Sequence, residues 1–204
     1  MTSVKSIILG DLANNCYLLT DETSGKSALI DCTDASEKMQ SFIGDADLEY
    51  ILLTHGHFDH IGGVKKISEK YGAKVVISEE DASMLSSSRD SLAAFCGVMQ
   101  ENTTADITVG EGSEITLGDS KIKVLLTPGH TKGGVCYIVD DKIFTGDTLF
   151  FCSCGRTDFP GGSASEIMQS LKRLATLDGS LKVYPGHERE TTIAFEKQHN
   201  PYMR

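Results

Sequence analysis

The chain has 204 residues, of which 40% are hydrophobic and 24% are charged. This length suits one domain and is long enough for a substantial hydrophobic core. The formal net charge of -10 argues against a nucleic-acid-binding surface, because phosphate binding needs clustered Lys and Arg side chains. No apolar run reaches the ~20 residues that span a bilayer, and the first residues do not resemble a secretion signal. We therefore expect a cytoplasmic chain that binds neither nucleic acid nor membrane.

The six cysteines are predicted to be buried thiols rather than disulfides, because the chain is long and begins without a secretion signal. Cys16, Cys32 and Cys136 lie in apolar, strand-like runs. Cys152 and Cys154 are too closely spaced to suit a redox pair or a metal site, so thiol packing is the favoured interpretation.

Strands and helices are predicted to alternate along the chain. In the first half we predict strands over 4–9, 16–19 and 27–31, a helix that is capped by Asp34 or Ser36 and runs to about Ile43, a strand over 49–53, a helix over 64–71 and a strand over 74–77. In the second half we predict strands over 114–117, 121–126, 135–139 and 142–145, a helix capped by Ser163, a strand over 181–184 and a short closing helix. Asn14-Asn15 is predicted to form a turn. The polar, poorly patterned residues 79–104 indicate an insertion or a flap.

Metal-binding side chains are concentrated in one stretch, residues 54–63, between a predicted strand and a predicted helix. Further His or Asp residues follow later strands, and together these residues make a set of seven potential ligands: His55, His57, Asp59, His60, His130, Asp147 and His187. Imidazole and carboxylate ligands suit zinc, and also manganese or ferrous iron. Seven ligands exceed the needs of one tetrahedral ion and favour two ions over one.

These residues and their neighbours resemble the metallo-β-lactamase superfamily. The resemblance rests on His55-x-His57-x-Asp59-His60 and on the runs Pro128-Gly129-His130-Thr131, Gly146-Asp147-Thr148 and Pro185-Gly186-His187. It covers essentially the whole chain. It implies an α/β fold, an αββα four-layer sandwich of two similar halves, which forms a single domain over residues 1–204 with metal ions at one edge of the two sheets.

The resemblance also implies a role for each ligand. His55, His57 and His130 would hold the first ion, Asp59, His60 and His187 the second, and Asp147 would bridge them. Two zinc ions are expected, with iron or manganese as alternatives. A hydroxide between the ions would attack the substrate, because bound cations lower the pKa of water to about 7. Asp59 is the catalytic candidate, since it could steer this hydroxide as well as bind metal.

Within the superfamily the chain is most similar to glyoxalase II-like hydrolases, which cleave thioesters such as hydroxyacylglutathione. Residues 146–150 and 184–188 carry this similarity. We therefore expect a binuclear metallohydrolase that acts on a small-molecule thioester. Class B β-lactamases usually carry Cys where this chain has Asp147, which disfavours lactam hydrolysis. A persulfide dioxygenase with one iron, a lactonase-type hydrolase and a non-catalytic metal-binding sensor remain alternatives.

The chain departs from full-length glyoxalase II enzymes in two ways. Only a short tail follows His187, so we expect no C-terminal helical domain that grips glutathione. Arg156 and Asp158 stand at about the positions where those enzymes have a Lys and a Tyr.

Three residues near the predicted ligands have two interpretations each. Arg156 could bind a substrate carboxylate or form a structural pair with Asp158 or Asp147, and the structural pair is slightly favoured. Tyr184 could line the substrate pocket or pack within its strand. Asp31 could cap a turn or hydrogen-bond to a ligand histidine. The sequence does not predict the oligomeric state.

Overall fold

Two six-stranded sheets lie face to face with helices on both outer surfaces in the computed structural model, which describes residues 1–203. The strands are β1 (Thr2–Leu9), β2 (Asn14–Asp21), β3 (Lys26–Ile30), β4 (Asp47–Leu52), β5 (Lys74–Ser78), β6 (Ile107–Val109), β7 (Glu114–Leu117), β8 (Ser120–Leu126), β9 (Val135–Val139), β10 (Lys142–Gly146), β11 (Leu149–Phe150), β12 (Ser153–Cys154), β13 (Lys182–Pro185) and β14 (Thr191–Thr192). The helices are α1 (Glu37–Ile43), α2 (Phe58–Ile61), α3 (Val64–Tyr71), α4 (Ala164–Leu174) and α5 (Ile193–His199), with a 3-10 turn at Ala82–Ser86.

The strand order separates the chain into two halves. The first sheet has the order β1-β2-β3-β4-β5-β6, and the second has the order β14-β13-β10-β9-β8-β7. Strands β11 and β12 form a separate two-stranded ribbon. Among the described residues no helix is long and apolar enough to cross a bilayer.

The central strands of the first sheet are buried on both faces, which explains their continuous apolar runs. In β3, Leu29 packs towards helices α1 and α3, whereas Ile30 faces the second sheet. In β4, Ile51 likewise packs towards the helices, and Leu52 faces the second sheet. A third cluster joins the outer face of the second sheet to helices α4 and α5. The order of layers is helix, sheet, sheet, helix, and the predicted αββα sandwich is confirmed.

The relative directions of the strands bring several carboxyl ends to one edge of the molecule. Strands β3, β4, β5 and β6 are parallel. In the second sheet β13 is parallel to β10, and β8 points the same way because both β8 and β10 are antiparallel to β9. Hydrogen bonds tie the two sheets at this edge, from Val135 N–H to Thr54 O at 2.9 Å and from the Tyr17 hydroxyl to Pro185 O at 2.7 Å. The predicted ligands follow these strand ends.

The predicted turn at Asn14-Asn15 is wrong. Both residues are buried in β2, and the turn lies earlier, where Ala13 N–H donates to Gly10 O. The side chain of Asn15 donates to Pro185 O at 3.0 Å and to Glu188 O at 2.8 Å. These asparagines therefore stabilise the contact between the halves instead of reversing the chain.

Four short strands were not predicted, because each is too short to show periodicity. Strand β6 has three residues, and β11, β12 and β14 have two each. Residues 79–104 contain only the 3-10 turn and a loop.

We predict that Leu52→Ala lowers the free energy of unfolding by about 2–5 kcal/mol, because Leu52 is fully buried between the sheets and its truncation leaves a cavity. Urea denaturation measures this loss. Ile8→Ala is the matched control, since Ile8 is 57% exposed, and its effect should stay within about 0.5 kcal/mol. Equal effects of the two variants would contradict the assigned core.

Candidate metal centre

The predicted ligands converge where the strand ends of the two sheets meet. His55, His57, Asp59 and His60 follow β4, the last two on the short helix α2. His130, Asp147 and His187 follow β8, β10 and β13. Three overlapping groups form, and within each group the ligand atoms lie within 4.8 Å of one another: His55, His57 and His130; His55, His60 and Asp147; Asp59, His60 and His187. The first and third groups have the membership that the resemblance implied for two ions.

Several polar atoms in these groups are buried without a hydrogen-bond partner. They include Nε2 of His55, Nε2 of His60 and Oδ1 of Asp147. An unpaired buried polar atom costs about 1–3 kcal/mol, so this cluster would be unfavourable without a cation. Imidazole nitrogens and carboxylate oxygens are donors that divalent metals accept. The residues therefore fit a metal centre.

Hydrogen bonds to the opposite ring nitrogens orient three of the imidazoles. Nδ1–H of His60 donates to Asp31 Oδ2 at 2.9 Å. Nδ1–H of His130 donates to Arg156 O at 2.7 Å, and Nδ1–H of His187 donates to Leu12 O at 3.0 Å. These bonds fix the tautomer and leave the Nε2 lone pair free for a metal ion.

His57 approaches the cluster through the other ring nitrogen. Its Nδ1 lies 2.9 Å from Nε2 of His130. Two nitrogen ligands of one tetrahedral ion would be separated by about 3.3 Å. The two nitrogens lie within hydrogen-bond distance, and a small increase in their separation would let both bind one ion.

Asp147 lies between the two groups of ligands. Its Oδ1 lies 3.4 Å from Nε2 of His60, and its Oδ2 lies 3.4 Å from Nε2 of His130 and 3.6 Å from Nε2 of His187. A single carboxylate thus faces both groups of predicted ligands. Gly146 makes this placement possible, since its φ is 46° and a Cβ atom there would lie 2.4 Å from Thr54 Oγ1.

Burial keeps the rings of His55 and His57 neutral. Burial lowers the pKa of His55 well below its ordinary value and lowers the pKa of His57 to about 3. Metal binding requires neutral imidazole, so both residues bind without first losing a proton. For Asp59, burial would raise the pKa, but His60, His187 and Asn14 outweigh it and hold the pKa below its ordinary value.

Asp31 hydrogen-bonds to a ligand histidine, and this resolves its two interpretations. Besides His60, it accepts hydrogen bonds from the backbone N–H and the hydroxyl of Thr54, both at 2.8 Å. Its φ of 56° is left-handed, which Asp and Asn tolerate better than most residues. Asp31 therefore links the end of β3 to the metal-binding loop that follows β4.

Asp81 was missed by the sequence analysis. It is fully buried and accepts hydrogen bonds from Gly56 N–H at 3.1 Å, the Thr131 hydroxyl at 2.7 Å and Gly133 N–H at 2.8 Å. Burial raises its pKa, and these bonds partly oppose that shift. Asp81 joins the loop of His55 and His57 to the loop of His130. The available signal was its position shortly after β5, the same position that pointed to the other acidic residues.

Asn14 was also missed, because its pair with Asn15 suggested a turn. Its side-chain amide donates to Asp59 Oδ2 at 2.9 Å. This hydrogen bond fixes the orientation of the predicted catalytic carboxylate.

A cavity of about 560 Å³ opens over the ligands and is lined by His57, Asp59, His130, Asp147 and His187, together with mainly apolar side chains. Arg156 lines this cavity, but its guanidinium donates to both carboxylate oxygens of Asp158, at 2.7 and 2.6 Å. This contact corresponds to the structural pair considered for Arg156. Tyr184 is not among the lining residues. It is buried between the sheets, where its ring stacks on Phe144 at 5.1 Å between centroids.

The family model of the metallo-β-lactamase superfamily matches residues 9–187. The chain belongs to the metallo-β-lactamase superfamily. This membership and the clustered His and Asp ligands together support metal binding.

Curated relatives within this superfamily include hydrolases. A probable metallo-hydrolase of Bacillus subtilis, YqgX, is 31% identical over 197 residues, which cover 94% of this chain and 92% of the relative. A probable polyketide biosynthesis zinc-dependent hydrolase of the same species, PksB, is 31% identical over 177 residues, covering 85% of this chain and 72% of the relative.

Solved structures of the superfamily are similar over almost the full chain. BLEG-1, described as a B3 metallo-β-lactamase, is 29% identical with a TM-score of 0.92 and coverage of 98% of this chain and 99% of that one. TTHA1623, solved in a di-iron-bound form, is 32% identical with a TM-score of 0.87 and coverage of 97% and 99%. ETHE1 from Myxococcus xanthus is 32% identical with a TM-score of 0.81 and coverage of 98% and 83%. Zinc and iron both occur among these names, so the identity of the metal stays open.

We predict that Asp31→Asn weakens binding of the second metal ion about 10–100-fold. The amide preserves the shape and tolerates the left-handed backbone, but it cannot accept hydrogen bonds at both of the positions that Asp31 uses. Calorimetric titration of the metal-free protein with zinc measures the affinity of each site. Asp45→Asn is the control, since Asp45 is exposed and remote from the ligands. Unchanged affinity in Asp31→Asn would contradict the positioning role.

Proposed function

We propose that the chain is a binuclear metallohydrolase that cleaves small-molecule thioesters, with hydroxyacylglutathiones as the reference substrates. The observation that carries the proposal is the carboxylate of Asp147 between two complete sets of three ligands, one set with His130 and the other with His60 and His187. Superfamily membership and the named hydrolases among the relatives support the hydrolytic class.

The residues that would hold the proposed metal ions include three imidazoles that hydrogen bonds already orient. His55, His57 and His130 would hold one ion, and Asp59, His60 and His187 would hold the other. When bound, two such ions would supply Lewis acidity for the substrate carbonyl and a water pKa of about 7. Zinc is the first choice, with iron or manganese also compatible with these donors.

Asp59 is the proposed catalytic carboxylate of the chain. It lines the cavity, and Asn14 fixes it by a hydrogen bond at 2.9 Å. Its pKa lies below the ordinary value, so it stays ionised and can accept a hydrogen bond from an attacking water. A carboxylate that is held in place in this way orients the water without having to reorganise during the reaction.

Few side chains around the cavity could protonate a leaving group. Outside the proposed ligands, the charged side chains that line it in residues 1–203 are Arg156, which is paired with Asp158, and Glu188. A thiolate leaves as a stable anion because thiols have a pKa of about 8.5. An amine leaving group needs a proton donor. This difference favours thioesters over amides.

β-Lactam hydrolysis is the second candidate. The observation that favours it is the similarity of the whole fold to BLEG-1, with a TM-score of 0.92. A cephalosporin with a chromogenic leaving group is therefore included in the assay below.

The function is tested by measuring metal content and turnover on the same preparation. We expect two metal ions per chain and rapid release of thiol from lactoylglutathione or from simple acyl thioesters. Turnover of the cephalosporin alone would replace the proposal with the second candidate. One iron per chain, with oxygen consumed on glutathione persulfide, would replace it with the dioxygenase alternative.

We predict that Asp147→Ala reduces the metal content to one ion or fewer per chain and lowers kcat by at least ~100-fold, because the shared ligand is removed. Metal analysis after gel filtration and thioester assay measure both effects. Asp119→Ala, at an exposed aspartate, is the control and should match the wild type. Full activity of Asp147→Ala would exclude a bridging role.

A further inference from the structure

Exposed apolar side chains are concentrated beside the mouth of the metal-centre cavity. Seven large apolar side chains are exposed in residues 1–203, and four of them belong to this region. They are Leu12 at 54%, Phe95 at 83%, Val98 at 45% and Met99 at 96% exposure. We call these four residues the apolar mouth. Exposed apolar side chains scattered singly need no explanation, whereas a contiguous set marks a binding surface.

The apolar mouth is continuous with the metal centre. Leu12 and Phe95 line the cavity that contains Asp59 and His57. Val98 and Met99 line a second depression that shares Leu12, Phe58 and Asp59 with that cavity. A hydrocarbon bound at the mouth would therefore be adjacent to the proposed reacting groups.

The loop that carries the mouth is anchored at its base. Phe58 N–H, at the start of α2, donates to Ser91 O at 2.9 Å. The side chain of Gln100 donates to Met84 O at 2.8 Å, and Thr103 N–H donates to Leu85 O at 3.0 Å. Ser91, like the two residues that follow it, is buried, while residues 94–99 are exposed. The base thus fixes the exposed tip next to the helix that bears Asp59.

The wall of the cavity offers little to a charged substrate tail. Phe58, Phe150 and Phe159 are among its lining residues. Arg156 is the one Lys or Arg that lines it in residues 1–203, and its guanidinium donates to both carboxylate oxygens of Asp158 and lies 3.9 Å from the centre of the Phe159 ring. A thiol such as glutathione, which carries two carboxylates, would meet one cation there, and that cation is already paired with the carboxylate of Asp158. The net charge of -10 on the chain would also repel the two carboxylates of glutathione.

We infer that the apolar mouth binds the hydrocarbon arm of the substrate, so that the preferred substrates are medium-chain acyl thioesters of an uncharged thiol. This inference rests on the proposed thioester hydrolase function and narrows its substrate class. The acyl chain lies along Phe95 and Leu12, and the thioester carbonyl reaches the metal ligands. Glutathione is then not required for recognition.

The acyl-chain dependence of kcat/KM tests the inference. The probes are N-acetylcysteamine thioesters of acetate, butanoate, hexanoate and octanoate, with lactoylglutathione for comparison. We expect kcat/KM to rise about two- to fourfold per methylene that becomes buried, mainly through KM. We also expect the octanoyl thioester to be a better substrate than lactoylglutathione.

Two exposed positions provide the variants. Phe95→Ser and Met99→Ser should each lower the ratio of octanoyl to acetyl kcat/KM, by about tenfold for Phe95→Ser. Both side chains are largely exposed, so folding should not suffer. Ile8→Ser is the control, because Ile8 is an exposed apolar residue outside this cavity, and its ratio should stay at the wild-type value.

The outcomes separate this inference from the proposed function. Cleavage of the acetyl thioester with no rise along the series, or an unchanged ratio in Phe95→Ser, would overturn the inference and leave the hydrolase intact. Absence of cleavage for every thioester would overturn the proposed function. In that case, binding of the thioethers S-octyl- and S-methyl-N-acetylcysteamine, measured by calorimetry, tests the inference. The inference requires that the octyl compound binds more tightly to the wild type than to Phe95→Ser. Equal affinity of the two thioethers would refute it.

Discussion

Buried lone pairs without partners are the constraint on which the rest of this structure depends. Nε2 of His55, Nε2 of His60 and Oδ1 of Asp147 are buried where the two sheets meet, and none of these three atoms has a hydrogen-bond partner. Such an arrangement costs free energy unless a cation is bound. The fold maintains it with strong local restraints, including the Asp31 carboxylate behind His60 and the Asp81 carboxylate between the histidine loops.

The clustering of the predicted ligands could be inferred from the sequence, because each of them follows an apolar strand that is readily identified. A single histidine such as His60 or His187 does not by itself indicate a metal site. Its position after a strand end does, because the ends of parallel strands lie at one edge of the sheet. The anchoring residues were harder to predict. Asp81 and Asn14 act through hydrogen bonds to distant segments. Asp81 had only its position shortly after β5 as a signal, and the pair Asn14-Asn15 suggested an ordinary turn. Asp31 had two interpretations for the same reason.

The shape of the substrate cavity could not be predicted from the sequence. Residues 79–104 lack periodicity, because the loop is held by individual hydrogen bonds to Phe58, Met84 and Leu85 instead of by a packed face. Tyr184 had two interpretations, a residue that packs within its strand and a residue that lines the pocket. The alternation of side chains along β13 instead places it between the sheets, with Val183 on the opposite face. The sequence of a strand shows that its side chains alternate between two faces, but not which of the two faces packs against the other sheet.

The central claim is that two ions share Asp147, and anomalous diffraction from crystals of the zinc-loaded protein tests it most directly. The account predicts two peaks, one surrounded by His55, His57 and His130 and the other by Asp59, His60 and His187, with Asp147 bound to both. A single peak at full zinc saturation, or two peaks with Asp147 bound to neither or to only one, would contradict it.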